Sequence, residues 1–249
     1  MEPESYDYDG ISEGYYDSIA TDSDGARSSW HRFKFDRVAA EITEGSEVLD
    51  VGCGPGTFLG LHGQSFTGIG IDFAEAQIDY ANRTYRNQSI SFLTARAGEL
   101  PFSDNRFDFV TSIEVIEHIT ENERDSMFRE AARVLKPGGS LIVTTPNYGS
   151  LWPLLERVVD WRTGMNYRQQ HINKHRVGDL SSAMSSAGFQ IQQCHSFQFL
   201  SPFIAAISVN FGKRLASLEK NLPSQGFLLL GIGEKPAISD PASQEGEKV

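Results

Sequence analysis

The sequence lacks several features that would assign it to common protein classes. It has only 2 cysteines in 249 residues, too few for a disulfide framework, so we expect a reducing, cytoplasmic compartment. It has no basic cluster, and 33 acidic against 22 basic residues give a net charge of −11. Nucleic acid is therefore not the expected substrate, because neutralising phosphates requires a positive face. The apolar runs are too short to span a bilayer, and the acidic N-terminus lacks the apolar core of a signal peptide.

The most informative segment is an apolar run that breaks into glycines. Val48–Val51 are followed by Gly52, Gly54 and Gly56, a pattern typical of a buried strand that ends in a tight turn. Glycines let a ligand lie directly against the backbone. Asp72 stands where the next strand should end, and from there its carboxylate can accept hydrogen bonds from ribose hydroxyls. The segment predicts a nucleoside-binding βαβ unit.

The same loop lacks the residues that bind phosphates. Thr57 occupies the position of the third glycine in a dinucleotide fingerprint, and no lysine lies between Lys34 and Lys136 to complete a P-loop. With this first motif and Asp72, the chain resembles the class I methyltransferases that depend on S-adenosylmethionine (SAM). The alternative is a glycine-rich turn that binds nothing, with Asp72 only capping the next helix.

Alternating strand and helix patterns predict a parallel sheet with right-handed crossovers. The resemblance implies an α/β fold, a doubly wound, Rossmann-like, seven-stranded methyltransferase sheet. Its expected strand order is 3-2-1-4-5-7-6, with the last strand antiparallel. Strands are expected at 47–51, 66–71, 90–95, 107–113, 140–145, 189–199 and 226–233. Helices are expected at 30–42, 74–86 and 177–187, with another running from its N-cap at Thr120 to a stop at 136–139.

We expect a single methyltransferase domain at 30–235, with lid insertions at 146–175 and 202–223. A mobile acidic segment is expected at 1–29 and a disordered tail at 236–249. In methyltransferases of this kind, a tyrosine-bearing segment before the domain folds over bound SAM; the alternative is a tail with incidental tyrosines. The 202–223 insertion is apolar with basic flanking. Four interpretations of this insertion are open: a lid over an apolar acceptor, a peripheral membrane contact, a helix packed on the core, or a dimer contact.

The resemblance implies binding residues for the amino acid end and the ribose of SAM. Gly52, Gly54 and Gly56 admit these groups against bare backbone, and Asp72 takes the ribose diol. Asp50 is expected either to stabilise the ammonium group of SAM or to order the glycine loop.

Two further residues match positions in the ubiquinone-biosynthesis O-methyltransferases. Arg32 stands 16 residues before Val48, as does an arginine that binds the SAM carboxylate in those enzymes. Ile113 matches a residue that touches the adenosine. The alternative for Arg32 is an ordinary arginine on a helix surface.

The adenine position departs from the family pattern. Relatives with a Gly-Asp-Ala-Glu-x-Leu-Pro-Phe stretch use its aspartate to accept from the adenine amino group, and here Arg96 replaces it. A guanidinium has no acceptor. Adenine recognition is then expected from the backbone around Ala97, from Glu99, or from stacking by Arg96.

A closer resemblance to the same O-methyltransferases appears at Ser112–His118. His118 and His171 are the candidate bases that take a proton from an acceptor hydroxyl, because an imidazole titrates near neutral pH. Glu114, Glu117 and His118 are spaced to share one side of a helical turn. They could hold a divalent metal with His171 as a fourth ligand, as in some RNA 2′-O-methyltransferases. The alternative is that this segment only shapes the cofactor floor, as in metal-free relatives.

The sequence therefore predicts an enzyme that moves the methyl group of SAM to a small-molecule acceptor, at a hydroxyl oxygen. One alternative is an N- or C-methyltransferase that acts on a lipid, sugar or secondary metabolite. Another is a catalytically silent SAM-binding protein. The acceptor and the oligomeric state are not encoded in these motifs.

Overall fold

The computed structural model describes residues 12–21, 25–163, 167–205, 208–219 and 226–237. Its strands are β1 (Glu47–Val51), β2 (Thr67–Asp72), β3 (Ile90–Thr94), β4 (Phe107–Ile113), β5 (Leu135–Pro146), β6 (Gln190–Phe197) and β7 (Leu228–Glu234). The helices are α1 (Tyr15–Thr21), α2 (Ala26–Ala39), α3 (Thr57–His62), α4 (Glu75–Thr84), α5 (Glu121–Val134), α6 (Trp152–Thr163), α7 (Tyr167–Gln170), α8 (Val177–Ser186), α9 (Ser201–Ala205) and α10 (Val209–Glu219).

The strands form one sheet in the order β3-β2-β1-β4-β5-β7-β6. The first five strands are parallel to one another, whereas β7 runs antiparallel to both β5 and β6. This confirms the predicted doubly wound architecture and strand order. The strand order reverses between β1 and β4, so their carboxyl ends form the crevice where ligands bind in open α/β sheets.

The central strands are buried on both faces, as expected for parallel strands covered by helices. Val48 and Leu49 are adjacent in β1 and point to opposite faces. Val48 packs in the cluster that contains Phe58 of α3, whereas Leu49 packs in the cluster that contains Phe128 of α5. Together the two layers fix the positions of the strand ends.

Helix α5 begins as the sequence predicts. Thr120 is its N-cap and forms a capping box with Glu123. The predicted stripe on this helix, including Met127 and Val134, is buried. The strand that follows starts earlier than its predicted start at residue 140. Leu135 already pairs with Phe107 of β4, and the register shifts before pairing resumes at Ser140.

The insertions are helical in their described parts. Helices α6 and α7 lie in 146–175, and α9 and α10 lie in and around 202–223. Residues 1–11, 22–24, 164–166, 206–207, 220–225 and 238–249 lie outside the described part of the chain, and parts of the predicted mobile segment, lids and tail fall on them. In the described ranges, no helix combines the length and apolar character needed to cross a bilayer.

A buried carboxyl group joins α1 to the domain. Asp17 is 4% exposed and accepts hydrogen bonds from Thr57 Oγ1 at 2.8 Å, Tyr80 Oη at 2.8 Å and Tyr85 Oη. Thr57 opens α3, and the tyrosines belong to or follow α4. The predicted N-terminal segment therefore contains a helix held against the elements that follow β1 and β2.

Replacing Asp17 with alanine removes the acceptor shared by three hydroxyl groups. The free energy of unfolding should fall by roughly 2–4 kcal/mol, because buried donors lose their partner. Urea titration measures the change. Asp79→Ala, at an exposed position of α4, is the matched control and should stay within about 0.5 kcal/mol of the parent. Equal effects of the two changes would show that Asp17 does not hold α1.

Candidate functional site

The glycine loop after β1 adopts a backbone path that requires glycine at three positions. Gly52, Gly54 and Gly56 have φ of 75°, 51° and 79°, in the left-handed region that other residues rarely adopt. Space is also limited, because a Cβ on Gly52 would lie 2.4 Å from Cγ2 of Val115. The loop thus presents backbone rather than side chains to the crevice between β1 and β4.

Asp72 ends β2 and holds this loop in place. Its Oδ2 accepts from Gly54 N and its Oδ1 from Ala74 N, both at 2.9 Å. Burial raises the pKa of this carboxyl above its usual range, although the backbone N–H groups oppose the shift. An ionised carboxylate has about four acceptor positions, so Asp72 can also accept hydrogen bonds from a ligand.

Asp50 is the second buried acid of the crevice. Its Oδ1 accepts from Thr111 Oγ1 at 2.7 Å, which ties β1 to β4. Burial raises the pKa of Asp50 to about 7, and the nearby Asp72 adds to the shift. Within the described ranges, neither acid makes a salt bridge. The crevice therefore favours a ligand that carries positive charge.

The other predicted cofactor residues lie on neighbouring elements. Arg32 Nε donates to the carbonyl of Ala20 at 2.8 Å, so its guanidinium holds the end of α1. Ala97 lies in a turn after β3 whose backbone is closed by a hydrogen bond from Glu99 N to Arg96 O. Ile113 ends β4 and packs on the apolar cluster of Val48. The contacts of Arg32, Ala97 and Ile113 with a cofactor stay predictions.

The segment after β4 is a turn, so the expectation that Glu114, Glu117 and His118 share a helical turn is wrong. Glu114 has φ of 58°, which takes the backbone out of a right-handed helix. Its carboxylate accepts from Thr144 Oγ1, whereas Glu117 accepts from Thr145 Oγ1. The two carboxylates are therefore held by different residues of β5.

The two predicted histidines are brought together by the lid. The ring centroids of His118 and His171 are 5.0 Å apart. One ligand atom each from Glu117, His118 and His171 lies within 4.8 Å of the others. This cluster contains three members of the predicted metal set, His171 among them, and lacks only Glu114. Burial and the nearby Glu114 raise the pKa of Glu117 well above its usual range.

The environments of the two histidines differ. His118 Nδ1 lies 3.2 Å from the carbonyl of Gln170, so that nitrogen carries the proton. Burial lowers the pKa of His118 to about 3, and His171 adds to the shift. His171 Nδ1 instead lies 2.7 Å from Glu156 Oε1 and 2.9 Å from Tyr148 Oη. Although burial opposes it, the hydrogen bonds that Glu156 accepts from His171 and from Tyr148 Oη lower the pKa of Glu156.

Several residues of the site were not found from the sequence. Glu156 and Tyr148 lie in a lid region without a strong pattern. Phe73 is 54% exposed directly after Asp72 and offers an aromatic face at the mouth of the crevice. Lys34 of α2 is buried and its Nζ lies 3.9 Å from Glu114 Oε2. The sequence carried a signal for it, because it stands four residues from both Trp30 and Val38 on one face of the helix.

Comparisons with known proteins match the core of this chain. Residues 49–143 match the family described as "Methyltransferase domain". A tRNA (carboxymethyluridine(34)-5-O)-methyltransferase of Arabidopsis thaliana is 35% identical over 52% of this chain and 31% of its own length. A ubiquinone biosynthesis O-methyltransferase of Coxiella burnetii is 37% identical over 44% of this chain and 48% of its own length. The chain thus spans less than half the length of either relative.

The fold extends the similarity beyond the matched segment. The crystal structure of an S-adenosylmethionine dependent methyltransferase from Mesorhizobium loti has a TM-score of 0.59 to this chain. The two are 20% identical, and the match covers 81% of this chain and 97% of the other. At this identity the likeness concerns the fold.

Replacing Gly52 with alanine should displace the loop, because its φ is positive and the new Cβ would strike Val115. We expect the free energy of unfolding to fall by roughly 1–3 kcal/mol, measured by urea titration. In the double variant with Val115→Ala, the free energy of unfolding should recover only by the part of the loss that the collision with Val115 causes. Gly178→Ala, where a Cβ meets nothing within 4 Å, is the control and should not destabilise. A silent Gly52 variant would contradict the described loop.

Proposed function

Because this chain carries a methyltransferase domain on the class I SAM-dependent methyltransferase fold, we propose that it transfers the methyl group of SAM to a hydroxyl oxygen of a small molecule. The recognition of this family from the sequence is confirmed by the domain match and by the relatives. The observation that carries the proposal is the pairing of a glycine crevice, closed by Asp72, with a histidine cluster formed by the segment after β4 and the lid.

The crevice suits SAM in shape and in charge. The glycine loop leaves room for a ligand against backbone, and Asp72 retains acceptor capacity for a ribose. SAM is a sulfonium with an ammonium group, and the buried Asp50 and Asp72 lack cationic partners among the described side chains. Phe73 supplies a face for adenine, next to the turn that contains Ala97. When bound, SAM supplies an electrophilic methyl group.

S-adenosylhomocysteine (SAH), the demethylated product, should bind with a measurable heat in isothermal titration, whereas NAD and ATP should not. Asp72→Asn should weaken SAH binding by roughly 10- to 100-fold, because it removes charge from the acceptor of the ribose hydroxyls. Asp79→Asn on α4 is the control and should bind as the parent does. Absence of SAH binding by the parent would refute the proposed function.

The histidine cluster supports removal of a proton from the acceptor. A carboxylate bound to Nδ1–H orients an imidazole and stabilises it when it takes a proton at Nε2. The carboxylate of Glu156 lies against Nδ1 of His171 in this way. His118, whose pKa lies near 3, is a much weaker base at neutral pH. We therefore assign the base to His171, with Glu156 as its positioning residue and His118 as a neutral neighbour.

The acceptor side of the site is aromatic. Trp152 lies with its ring centroid 6.4 Å from that of His171 and 5.7 Å from that of Trp30. Phe203 and Phe227 pack on Trp30. A small apolar or aromatic hydroxy compound fits such walls better than a phosphate-rich polymer, and the net charge of −11 also argues against nucleic acid. The curated relatives nevertheless include a tRNA methyltransferase.

A divalent metal is the second candidate use of the same cluster. Nδ1 of each histidine lies against an acceptor, and this arrangement is common for metal-bound imidazoles that ligate through Nε2. Glu117 would complete a ligand set of two nitrogens and one oxygen. The metal would polarise the acceptor hydroxyl and lower its pKa. The raised pKa of Glu117 opposes this use, because a ligand must be ionised.

The two candidate uses of the cluster, as a general base and as a metal site, predict different kinetics. An acceptor for these measurements can be found by screening phenols and catechols. For the base, His171→Gln should lower kcat by roughly 10²- to 10⁴-fold, without changing SAH affinity. Glu156→Gln should shift the pH profile, and His118→Gln should have the smallest effect. EDTA and Mn²⁺ should change little. Loss of activity in EDTA, with equal losses for His118→Gln and His171→Gln, would establish the metal instead.

A further inference from the structure

A cavity lies between α2, the end of β6, α9 and α10. Its volume is about 190 Å³, and its apolar walls include Phe33 and Phe197. Because an apolar cavity of roughly 150 Å³ can hold benzene, this one has room for a single ring with a short polar chain. Among the described residues that line it, none belongs to the glycine loop, to Asp50 or Asp72, or to the histidine cluster. The cavity is therefore separate from the site proposed for methyl transfer.

A buried acceptor without a partner lines this cavity. Gln198, directly after β6, is 4% exposed, and its Nε2 donates to the carbonyl of Trp30 at 2.8 Å. A carbonyl can only accept, so this contact also fixes which atom of the amide is the oxygen. That oxygen, Oε1, makes no hydrogen bond with the described residues. An unpaired buried acceptor is costly, so this position favours a ligand with a donor group.

The backbone that carries this acceptor is fixed by its neighbours. Gln198 has φ of 61°, in the left-handed region that residues other than glycine keep only where the surroundings hold them. Its carbonyl accepts from Phe227 N at 3.0 Å. The next three backbone N–H groups, of residues 199–201, donate to the buried carboxylate of Glu219 at 2.6 to 3.1 Å. Strained and well-held positions of this kind concentrate at ligand sites.

Donors line the same cavity from α2 and α10. One terminal nitrogen of Arg37 pairs with Glu41, but the Nε–H of Arg37 is buried and has no partner in the described part of the chain. Lys213 of α10 is exposed and also lines the cavity. An N–H group of a guanidinium and an ammonium group together suit a carboxylate.

The polar groups of the cavity therefore match both ends of a zwitterion. Gln198 Oε1 and the carboxylate of Asp36, which also lines the cavity, suit a protonated amine. Arg37 Nε and Lys213 suit a carboxylate, and the apolar walls suit a hydrocarbon side chain. We propose that this cavity binds a free amino acid with an apolar side chain, or a close analogue. This binding is independent of the function proposed above.

The test uses three probes that share one ring: L-phenylalanine, 2-phenylethylamine, which lacks the carboxylate, and 3-phenylpropanoate, which lacks the ammonium group. Each is titrated into the full chain while ¹H–¹⁵N NMR spectra are recorded. L-phenylalanine should bind with a dissociation constant on the order of 1 mM and shift the side-chain amide of Gln198 and the backbone amide of Lys213. The other two should bind about 10-fold more weakly, because each leaves polar groups of the cavity unpaired.

The glycine loop provides the internal control for the place of binding, because SAM also contains an amino acid part. The backbone amides of Gly52, Gly54 and Gly56 should not move with L-phenylalanine, and added SAH should leave its dissociation constant unchanged. Shifts confined to the glycine loop, or displacement of L-phenylalanine by SAH, would overturn the proposal.

Two pairs of variants complete the test. Ala216→Leu on α10 narrows the cavity and should weaken L-phenylalanine binding at least about 10-fold. Ala26→Leu, half-buried on the first turn of α2 and not at the cavity, should bind as the parent does. Lys213→Met should weaken L-phenylalanine roughly 2- to 5-fold without affecting 2-phenylethylamine. Arg214→Met, at the next exposed position of α10, should change neither.

The pair at Lys213 and Arg214 decides the result if Ala216→Leu does not fold, because both side chains are exposed. The proposal is overturned if L-phenylalanine does not shift the Gln198 amide or if all three probes bind equally. It is also overturned if the Lys213 and Arg214 variants bind L-phenylalanine alike.

Discussion

The carboxylate of Asp72 is the group on which the site depends. Its two oxygens hold Gly54 of the loop after β1 and Ala74 at the start of α4, so two chain segments are fixed by one side chain at the end of β2. The three glycines with positive φ could follow many paths, and this pair of hydrogen bonds selects one. Burial raises the pKa of this carboxyl, and the backbone N–H groups that it holds oppose the shift.

The segment between β5 and α8 brings His171 against His118, which follows β4. The glycine loop, Asp50 and Asp72 belong to the half of the domain that matches other methyltransferases, and they accommodate a nucleoside. Glu156, His171 and Trp152 belong to the segment between β5 and α8, outside the matched residues 49–143. Function in this fold depends on such segments, because they form the walls that meet the acceptor. The protein joins a crevice inside the family match to a segment that lies outside it.

The sheet and the glycine crevice could be predicted from the sequence, because both depend on local patterns. Strand periodicity, the capping box at Thr120 and the spacing to Asp72 are short-range signals. The segment after β4 was misjudged because the spacing of Glu114 and His118 suits a helix, whereas one left-handed φ at Glu114 makes a turn. Glu156 could not be paired with His171 from the sequence, since their contact depends on how α6 packs. Lys34 could have been found, because a lysine between Trp30 and Val38 interrupts an apolar stripe.

The position of β7 has a consequence for how the chain is made. Strand β7 lies between β5 and β6, so β6 has no neighbour in the described sheet until residues 228–234 have left the ribosome. Until then β5 presents an open edge, and open edges of apolar strands promote association between nascent chains. The first five strands can assemble during synthesis, but β6 can join the sheet only after residues 228–234 have emerged. Slow synthesis or a shortage of chaperones should therefore harm this protein through β7 rather than through the glycine loop.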